Sequence, residues 1–253
     1  MPTDSSSDLT RRVLQILTTL AQRGETGIRL VDVARSTEIP RATVHRILKD
    51  LIDAGFVTKA DSGTYALGYA VFELALSAPA PIMDFTGLRD MARSLADRCG
   101  DTVYVAVRQF DGVNYVIRAE GDYPLQTRIP VGTNRPLARS YTGIALLPFV
   151  GAEQRARAIA ARVEGLEPDV ADSIRATIAD LNSQVITQGY CDCSATDFVL
   201  PGVAGLSTPI RTDRTPYAAV AISAVSPRLP SERIEPLARL LLATEKQMRA
   251  CFA

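Results

Sequence analysis

The stretch Ile39-Pro40-Arg41-Ala42-Thr43-Val44-His45-Arg46-Ile47-Leu48-Lys49-Asp50-Leu51-Ile52-Asp53-Ala54-Gly55-Phe56 decides how this chain is read. Pro40 suits the first turn of a helix, where its missing N–H costs nothing, and Gly55 suits a left-handed cap at the other end. Between them Val44, Ile47, Leu48, Leu51 and Ile52 recur at helical spacing on one face. Arg41, Thr43, Arg46 and Lys49 fall off that stripe, His45 sits at its edge, and no acid occurs from Arg41 to Lys49. One face must be buried, and a short cationic, hydrogen-bonding face is left over. An ordinary solvated amphipathic helix has this composition. So does a helix that enters the DNA major groove, where Arg, Lys and Thr contact phosphates and base edges.

The flanking sequence favours the second possibility. Leu9 to Arg23 carries Leu9, Val13, Ile16, Leu17 and Leu20 at spacings of three and four, and Gly24 and Gly27 break it. Leu30 to Ser36 forms a short helix with Leu30, Val33 and Ala34 inward, and Thr37-Glu38-Ile39 is the turn before Pro40. Short helix, tight turn and longer helix make a helix-turn-helix. From Phe56 to Leu67 two β-prone runs flank Asp61-Ser62-Gly63, a hairpin in the position of a wing. Lys59 and Thr64 near its tip reach phosphate or the minor groove, or merely cover the helix end. Tyr69 to Ser77 is apolar nearly all round, which calls for a partner beyond its own small domain. Ala78-Pro79-Ala80-Pro81 stops it and marks a boundary.

Beyond that boundary the pattern is helix, strands, helices, strands, helix, an α+β domain of about 170 residues. Phe85 to Gly100 is amphipathic; Thr102 to Phe110 alternates as a strand; Asp111-Gly112 makes a hairpin turn. The return strand Val113 to Ala119 puts Val113, Tyr115 and Ile117 on one side, and Leu125 to Val131 reads as a third strand. Helices follow over Ser140 to Val150, with Pro148 ending or kinking it, Ala152 to Val163 and Asp169 to Gln188. Strands over Val203 to Ile210 and Tyr217 to Val225 precede a closing helix from Glu232 to Phe252.

Bulk properties narrow the function. Of 253 residues 47% are hydrophobic and 22% charged, the profile of a soluble globular protein. Lys+Arg 28 balances Asp+Glu 28, so DNA attraction must be local to one surface. Met1 to Asp8 has no apolar core and is not a signal peptide, and no apolar run approaches the ~20 residues of a membrane helix, so the expected location is cytoplasmic, with no membrane partner. Cys99, Cys191, Cys193 and Cys251 lack the paired spacing of a zinc site, and His45 is the single histidine, so neither a metal nor another cofactor is expected. Among catalytic signatures, the chain has no Gly-rich phosphate loop, no Gly-x-Ser-x-Gly and no HExxH. An enzyme built on Cys191 and Asp192, or a sensor whose winged helix binds protein, are the competing readings.

Four groups of residues together resemble the IclR family of bacterial transcription regulators. The first comprises Val13-Leu-Gln-Ile-Leu, Val31-Asp-Val-Ala-Arg, Pro40-Arg-Ala-Thr-Val-His-Arg-Ile-Leu, Leu51-Ile-Asp-Ala-Gly-Phe and Tyr65-Ala-Leu-Gly. The others are Asp101-Thr-Val-Tyr-Val-Ala-Val with Asp111-Gly; Val131-Gly-Thr-Asn-Arg-Pro-Leu with Gly143-Ile-Ala-Leu-Leu; and Gly189-Tyr, Pro201-Gly-Val-Ala-Gly-Leu-Ser-Thr-Pro-Ile and Ala219-Val-Ala-Ile-Ser. The resemblance implies a flexible tail over 1–8, a winged helix-turn-helix over 9–67, a linker helix over 68–81 and a GAF-like α+β effector-binding and oligomerisation domain over 82–253. Double-stranded operator DNA, a small organic acid effector and further copies of the chain in a dimer or tetramer are the implied partners. Arg41, Thr43, His45, Arg46, Lys49, Lys59 and Thr64 are the DNA-contact candidates; for His45 a partly buried structural role is the alternative. For the effector, the helix start at Ser140, Tyr141, Thr142 and Gly143 offers unpaired N–H groups and a positive dipole end to a carboxylate. Family position adds Cys191, Asp192, Cys193, Gly205, Ser207, Ala221 and Ser223, although Tyr141, Thr142 and the cysteines also suit plain packing. Two departures from the family pattern fall around this pocket. Pro136-Leu-Ala-Arg-Ser and Gly143-Ile-Ala stand where many members have Pro-Leu-His-(Ala/Cys)-(Ser/Thr) and Gly-Lys-Ala, and Gly205 stands where many have cysteine.

Overall fold

The computed structural model describes residues 5–21, 23, 27–77, 83–194, 199–213 and 215–252. Contacts divide the chain into two units, Met1–Ala80 and Pro81–Ala253. The Ala78 to Pro81 stop and the Gly24 break lie outside the described residues. Among the described residues no helix is long and apolar enough to cross a membrane.

In the first unit, helix α1 (Ser5–Ala21) begins inside the segment read as a tail, because Ser5 to Asp8 continue the helix that Leu9 was taken to start. Strand β1 (Ile28–Arg29) leads directly into α2 (Leu30–Thr37), and α3 (Arg41–Asp53) follows. The turn is shifted by one residue from expectation. Thr37 stays helical, with its hydroxyl donating to Val33 O, and Glu38 takes the left-handed conformation. Gln15 of α1 donates to Thr37 O, tying the end of α2 to the first helix. Val44, Ile47, Leu48 and Leu51 bury the inner face of α3 against Ile16, Leu20, Val33 and Ile39. Each such side chain contributes about 1.5–3 kcal/mol on burial. Gly55 ends α3 at φ +75, a backbone state that costs other residues but not glycine, and its N–H bonds Ile52 O. Strands β2 (Val57–Lys59) and β3 (Thr64–Leu67) form the hairpin, and β1 joins it as a third strand in the order β1-β3-β2. Sequence periodicity missed β1, since two residues carry no alternation. Helix α4 (Tyr69–Ser77) leaves Tyr69, Phe72 and Leu74 exposed.

The second unit is a six-stranded antiparallel sheet in the order β6-β5-β4-β9-β8-β7. Helix α5 (Phe85–Cys99) precedes β4 (Thr102–Gln109) and β5 (Gly112–Ala119). The expected strand at Leu125 to Val131 is absent. That segment, held between Pro124 and Pro130, is irregular, and β6 is instead Asn134–Pro136. The phenol of Tyr104 organises it, donating to Thr127 O and accepting from Ile129 N. Helix α6 is only Tyr141–Leu146, with turns of 3-10 helix on either side at Leu137–Arg139 and Leu147–Phe149; Pro148 tightens the second. Helices α7 (Ala152–Val163) and α8 (Pro168–Thr187) lead to β7 (Cys191–Asp192), a second strand too short for periodicity to find. Then come β8 (Val203–Ile210), β9 (Ala218–Val225) and α9 (Ser231–Met248), which passes into 3-10 helix before Phe252.

The sheet has a core on each face. Val103, Val105, Leu206, Val220 and Ile222 pack with Leu88, Leu95, Leu237 and Leu241 on one. Tyr104, Tyr115, Ala219 and Ala221 pack with Tyr141, Ile144, Ile178 and Leu181 on the other. Contrary to the simple alternation, Val113, Tyr115 and Ile117 do not share a side. The register slips between Val105/Ile117 and Ala106/Tyr115. The extra residue, Val116, makes a β-bulge that reverses facing, sending Ile117 to the first core and Tyr115 to the second. Buried Asp101 clasps the start of β4 to the start of α9: Arg228 Nε donates at 3.0 Å and Arg233 Nη2 at 3.2 Å. The Arg228 guanidinium also lies 3.9 Å from the Tyr123 ring centroid.

Candidate nucleic-acid interface and effector site

Helix α3 presents Arg41, His45, Arg46 and Lys49 to solvent, with Thr43 half-buried beside them. The inner residues anchor the helix through four buried aliphatics, so rotation about its axis is fixed and the cationic face must point outward. Three other arginines of this unit are paired locally: Arg11 and Arg12 with Asp8, and Arg35 with Asp32. Among the described residues no carboxylate lies within ion-pair distance of Arg41, Arg46 or Lys49, a condition under which the cations stay available to an external anion. In the hairpin, Lys59 is exposed with Nζ 5.6 Å from the Tyr65 ring centroid, and the Thr64 hydroxyl lies 2.9 Å from that of Ser62. A cleft of about 250 Å³ lined by Arg11, Arg12, Gln15, Thr37, Glu38, Ile39 and Pro40 adjoins the turn.

In the second unit the structure brings together ten of the eleven residues singled out for an effector. Ser140, Tyr141, Thr142 and Gly143 enter α6 against a sheet face that carries Gly205, Ser207, Ala221, Ser223 and, at its edge, Cys191, with Cys193 just beyond. Most of these sheet residues are small, and the reason is visible at one of them. A Cβ on Gly205 would lie 2.7 Å from Tyr141 Cδ2, so the phenol ring lies where a side chain would otherwise stand. The Tyr141 hydroxyl donates to Val203 O at 2.7 Å. Asp192 is the exception. It pairs with Leu206, which packs in the opposite core, so it faces away from the cysteines, and its carboxylate accepts from Ser194 N. Alternation along a strand puts Cys191 and Asp192 on opposite sides.

The helix start also differs from expectation. Ser140 Oγ accepts the Gly143 N–H at 3.0 Å, and Ile144 N–H bonds Ser140 O, so the first turn of α6 supplies its own cap. Within the buried layer the Thr142 hydroxyl has no hydrogen-bond partner. Burial raises the Tyr115 phenol above its ordinary value, and the neighbouring Thr142 and Ser140 hydroxyls and the Arg135 charge hold the rise back. The four cysteines are buried free thiols. The hydrogen bond it donates to Cys191, with burial, pushes the Cys193 thiol well above its ordinary value, so it is held neutral. Among the described residues no cluster of three or more His, Cys, Asp and Glu side chains forms a metal site.

The family model for the "IclR helix-turn-helix domain" matches residues 10–61, and that for "Bacterial transcriptional regulator IclR C-terminal" matches 85–250. The "Probable transcriptional regulator SauR" of Cupriavidus necator is 29% identical over 150 residues, 59% of this chain and 58% of its own length. The chain therefore spans less than two thirds of that relative. An IclR-family transcriptional regulator from Brucella abortus, 22% identical, aligns over 97% of this chain and 93% of its own with a TM-score of 0.66. An IclR homologue from Microbacterium hydrocarbonoxydans, solved in complex with 4-hydroxybenzoate, is 22% identical and aligns over 96% of this chain and 98% of its own with a TM-score of 0.52. At these identities the two structures establish the fold alone.

Proposed function

Because the chain belongs to the IclR family of bacterial transcription regulators, we propose that it binds operator DNA through α3 and the β2–β3 wing and responds to a small organic acid held in its C-terminal domain. Residues 9–67 are the DNA-binding domain, 68–81 the linker and 82–253 the effector domain. The observation that carries the DNA assignment is the outer face of α3, cationic, acid-free from Arg41 to Lys49 and anchored from behind. Arg41 and Thr43 enter the groove first; Arg46, Lys49 and His45 follow; Lys59 and Thr64 meet the backbone from the wing. A bidentate base contact is worth about 1–3 kcal/mol of discrimination, whereas losing a phosphate contact lowers affinity evenly and reduces the salt slope by about 1.

Mobility shifts on the DNA flanking the protein's own gene, run at several salt concentrations, test this. Arg46→Ala and Arg41→Ala weaken binding and flatten the salt dependence. Unchanged affinity and slope in both variants would overturn the assignment. The effector reading draws on the small-residue sheet face under α6 and on the 4-hydroxybenzoate complex of the Microbacterium homologue. The exposed Tyr69, Phe72 and Leu74 of α4 are the surface on which a second copy docks, giving a dimer or tetramer. Light scattering that returns a monomer removes that element. The protein works in the cytoplasm, where its DNA is.

A further inference from the structure

The face of the second unit's sheet that packs under α6 is uncharged at nearly every strand position. Thr102, Tyr104 and Ala106 of β4, Gly205 and Ser207 of β8 and Ala219, Ala221 and Ser223 of β9 are all neutral, and so is α6 throughout. Three strand positions break the rule, and all are arginine; Arg118, across from Tyr104, is neutralised by Glu120, and the other two lie together. Val113 faces this side, with Arg108 of β4 as its cross-strand neighbour on one flank and Arg135 of β6 on the other. Paired residues in an antiparallel ladder share a face, so both guanidiniums rise on the α6 side. Each is half-buried, and among the described residues neither has a carboxylate partner.

Arg135 lies across from Val113, whose neighbour on the same face of β5 is Tyr115. It is the charged group that acts on the Tyr115 phenol, whose other polar neighbours are the hydroxyls of Thr142 and Ser140. Of these, Ser140 is engaged in capping α6, while Thr142 Oγ1 is wholly buried and unpartnered. A buried hydroxyl without a partner carries a desolvation cost, and a half-buried cation without an anion carries another. Both costs are removed together by a ligand that brings a negative charge and acceptor oxygens to the same place. Tyr115 lies two residues along β5 from Val113 on the same face, and the close approach of β6 requires glycine at 112, where a Cβ would lie 2.6 Å from Arg135 O.

We propose that Arg135, with the Tyr115 phenol and the Thr142 hydroxyl, anchors the carboxylate of the effector. This rests on the effector reading given above and adds to it the point of attachment: the acid group sits at the β5–β6 end of the face. A guanidinium offers two parallel N–H donors to one carboxylate, a geometry that an amide of the same shape cannot match.

Titration calorimetry and thermal shift on the full chain test the proposal, with benzoate, 4-hydroxybenzoate, pyruvate and succinate as probes and benzamide and 4-hydroxybenzamide as uncharged counterparts. At least one acid binds, and its amide binds far more weakly. Arg135→Gln weakens the acid about ten- to a hundredfold, the loss expected for a charge-assisted hydrogen bond, and narrows the gap between acid and amide. Thr142→Val raises the melting temperature without ligand, because the orphaned hydroxyl is gone, and yet reduces the shift that the acid produces. A merely structural Thr142 would not give that opposition. An acid bound equally by Arg135→Gln, or an amide bound as well as its acid, overturns the anchor and leaves the effector reading standing. If none of the probes binds, the effector reading itself fails and the anchor with it.

Discussion

Gly205→Ala is the sharpest available probe of how the C-terminal domain is packed. The backbone at 205 is outside the left-handed region, so alanine carries no conformational penalty and any cost arises from contact. The added Cβ would stand 2.7 Å from Tyr141 Cδ2, 2.9 Å from Tyr141 Cε2 and 2.9 Å from Ile222 O. Tyr141 cannot swing aside cheaply, since its hydroxyl is bonded to Val203 O and its helix is buried throughout. Overpacking of this kind costs about 1–3 kcal/mol. With two partners on the ring and one on the backbone, about 2 kcal/mol is expected, which lowers the melting temperature of a domain of this size by about 4–8 °C. Tyr141→Ala costs about 3–5 kcal/mol alone through the cavity it leaves. In that background the ring contacts are gone and only Ile222 O remains, so Gly205→Ala costs less by about 1 kcal/mol or more, a coupling within the usual range for touching residues. Urea unfolding of the four proteins in the cycle measures it. Equal costs in the two backgrounds, or no cost in either, would refute the fit of ring to glycine.

Three further outcomes are expected. Asp101→Asn strips the charge from a buried carboxylate shared by Arg228 and Arg233; because those guanidiniums are partly exposed the loss is about 2–3 kcal/mol, below the 3–5 of a fully buried pair, and appears as a lower urea midpoint. The Cys99 thiol is pushed up by burial from 9.0 to about 11, so its contribution to stability is complete below pH 9 and is lost as the pH rises towards 11; the wild type declines by up to about 1.4 kcal/mol per pH unit relative to Cys99→Ala across that window, and parallel curves would exclude it. Asp84 accepts the Gly87 N–H at the start of α5, so Asp84→Ala costs about 1 kcal/mol, read as a melting shift that Asp84→Ser largely avoids.

Much of the first unit was legible in the chain itself. The inward and outward faces of α3 follow from a period of 3.6, and its end from a glycine at the required φ; both are local. The same logic found α5, α8 and the paired strands β4–β5 and β8–β9. It failed where a neighbour decides. The hairpin expected at Asp111-Gly112 forms one residue earlier, over Phe110-Asp111: Phe110 takes the positive φ, and Gly112 opens β5, small because β6 runs against it. Leu125 to Val131 alternates like a strand but is held as a loop by the Tyr104 phenol from another element. Asp192 shared a motif with two cysteines and ended on the other side of the strand.

By itself the sequence determined which residues of Pro40 to Ala54 must be buried and which are left cationic, because helical spacing is a property of consecutive residues. Only the tertiary structure decided that Tyr115 and Ile117, two residues apart in β5, belong to opposite cores. One extra residue in β5 reverses the facing of everything beyond it, and whether that residue is bulged or paired depends on the register of a strand that the local pattern does not contain.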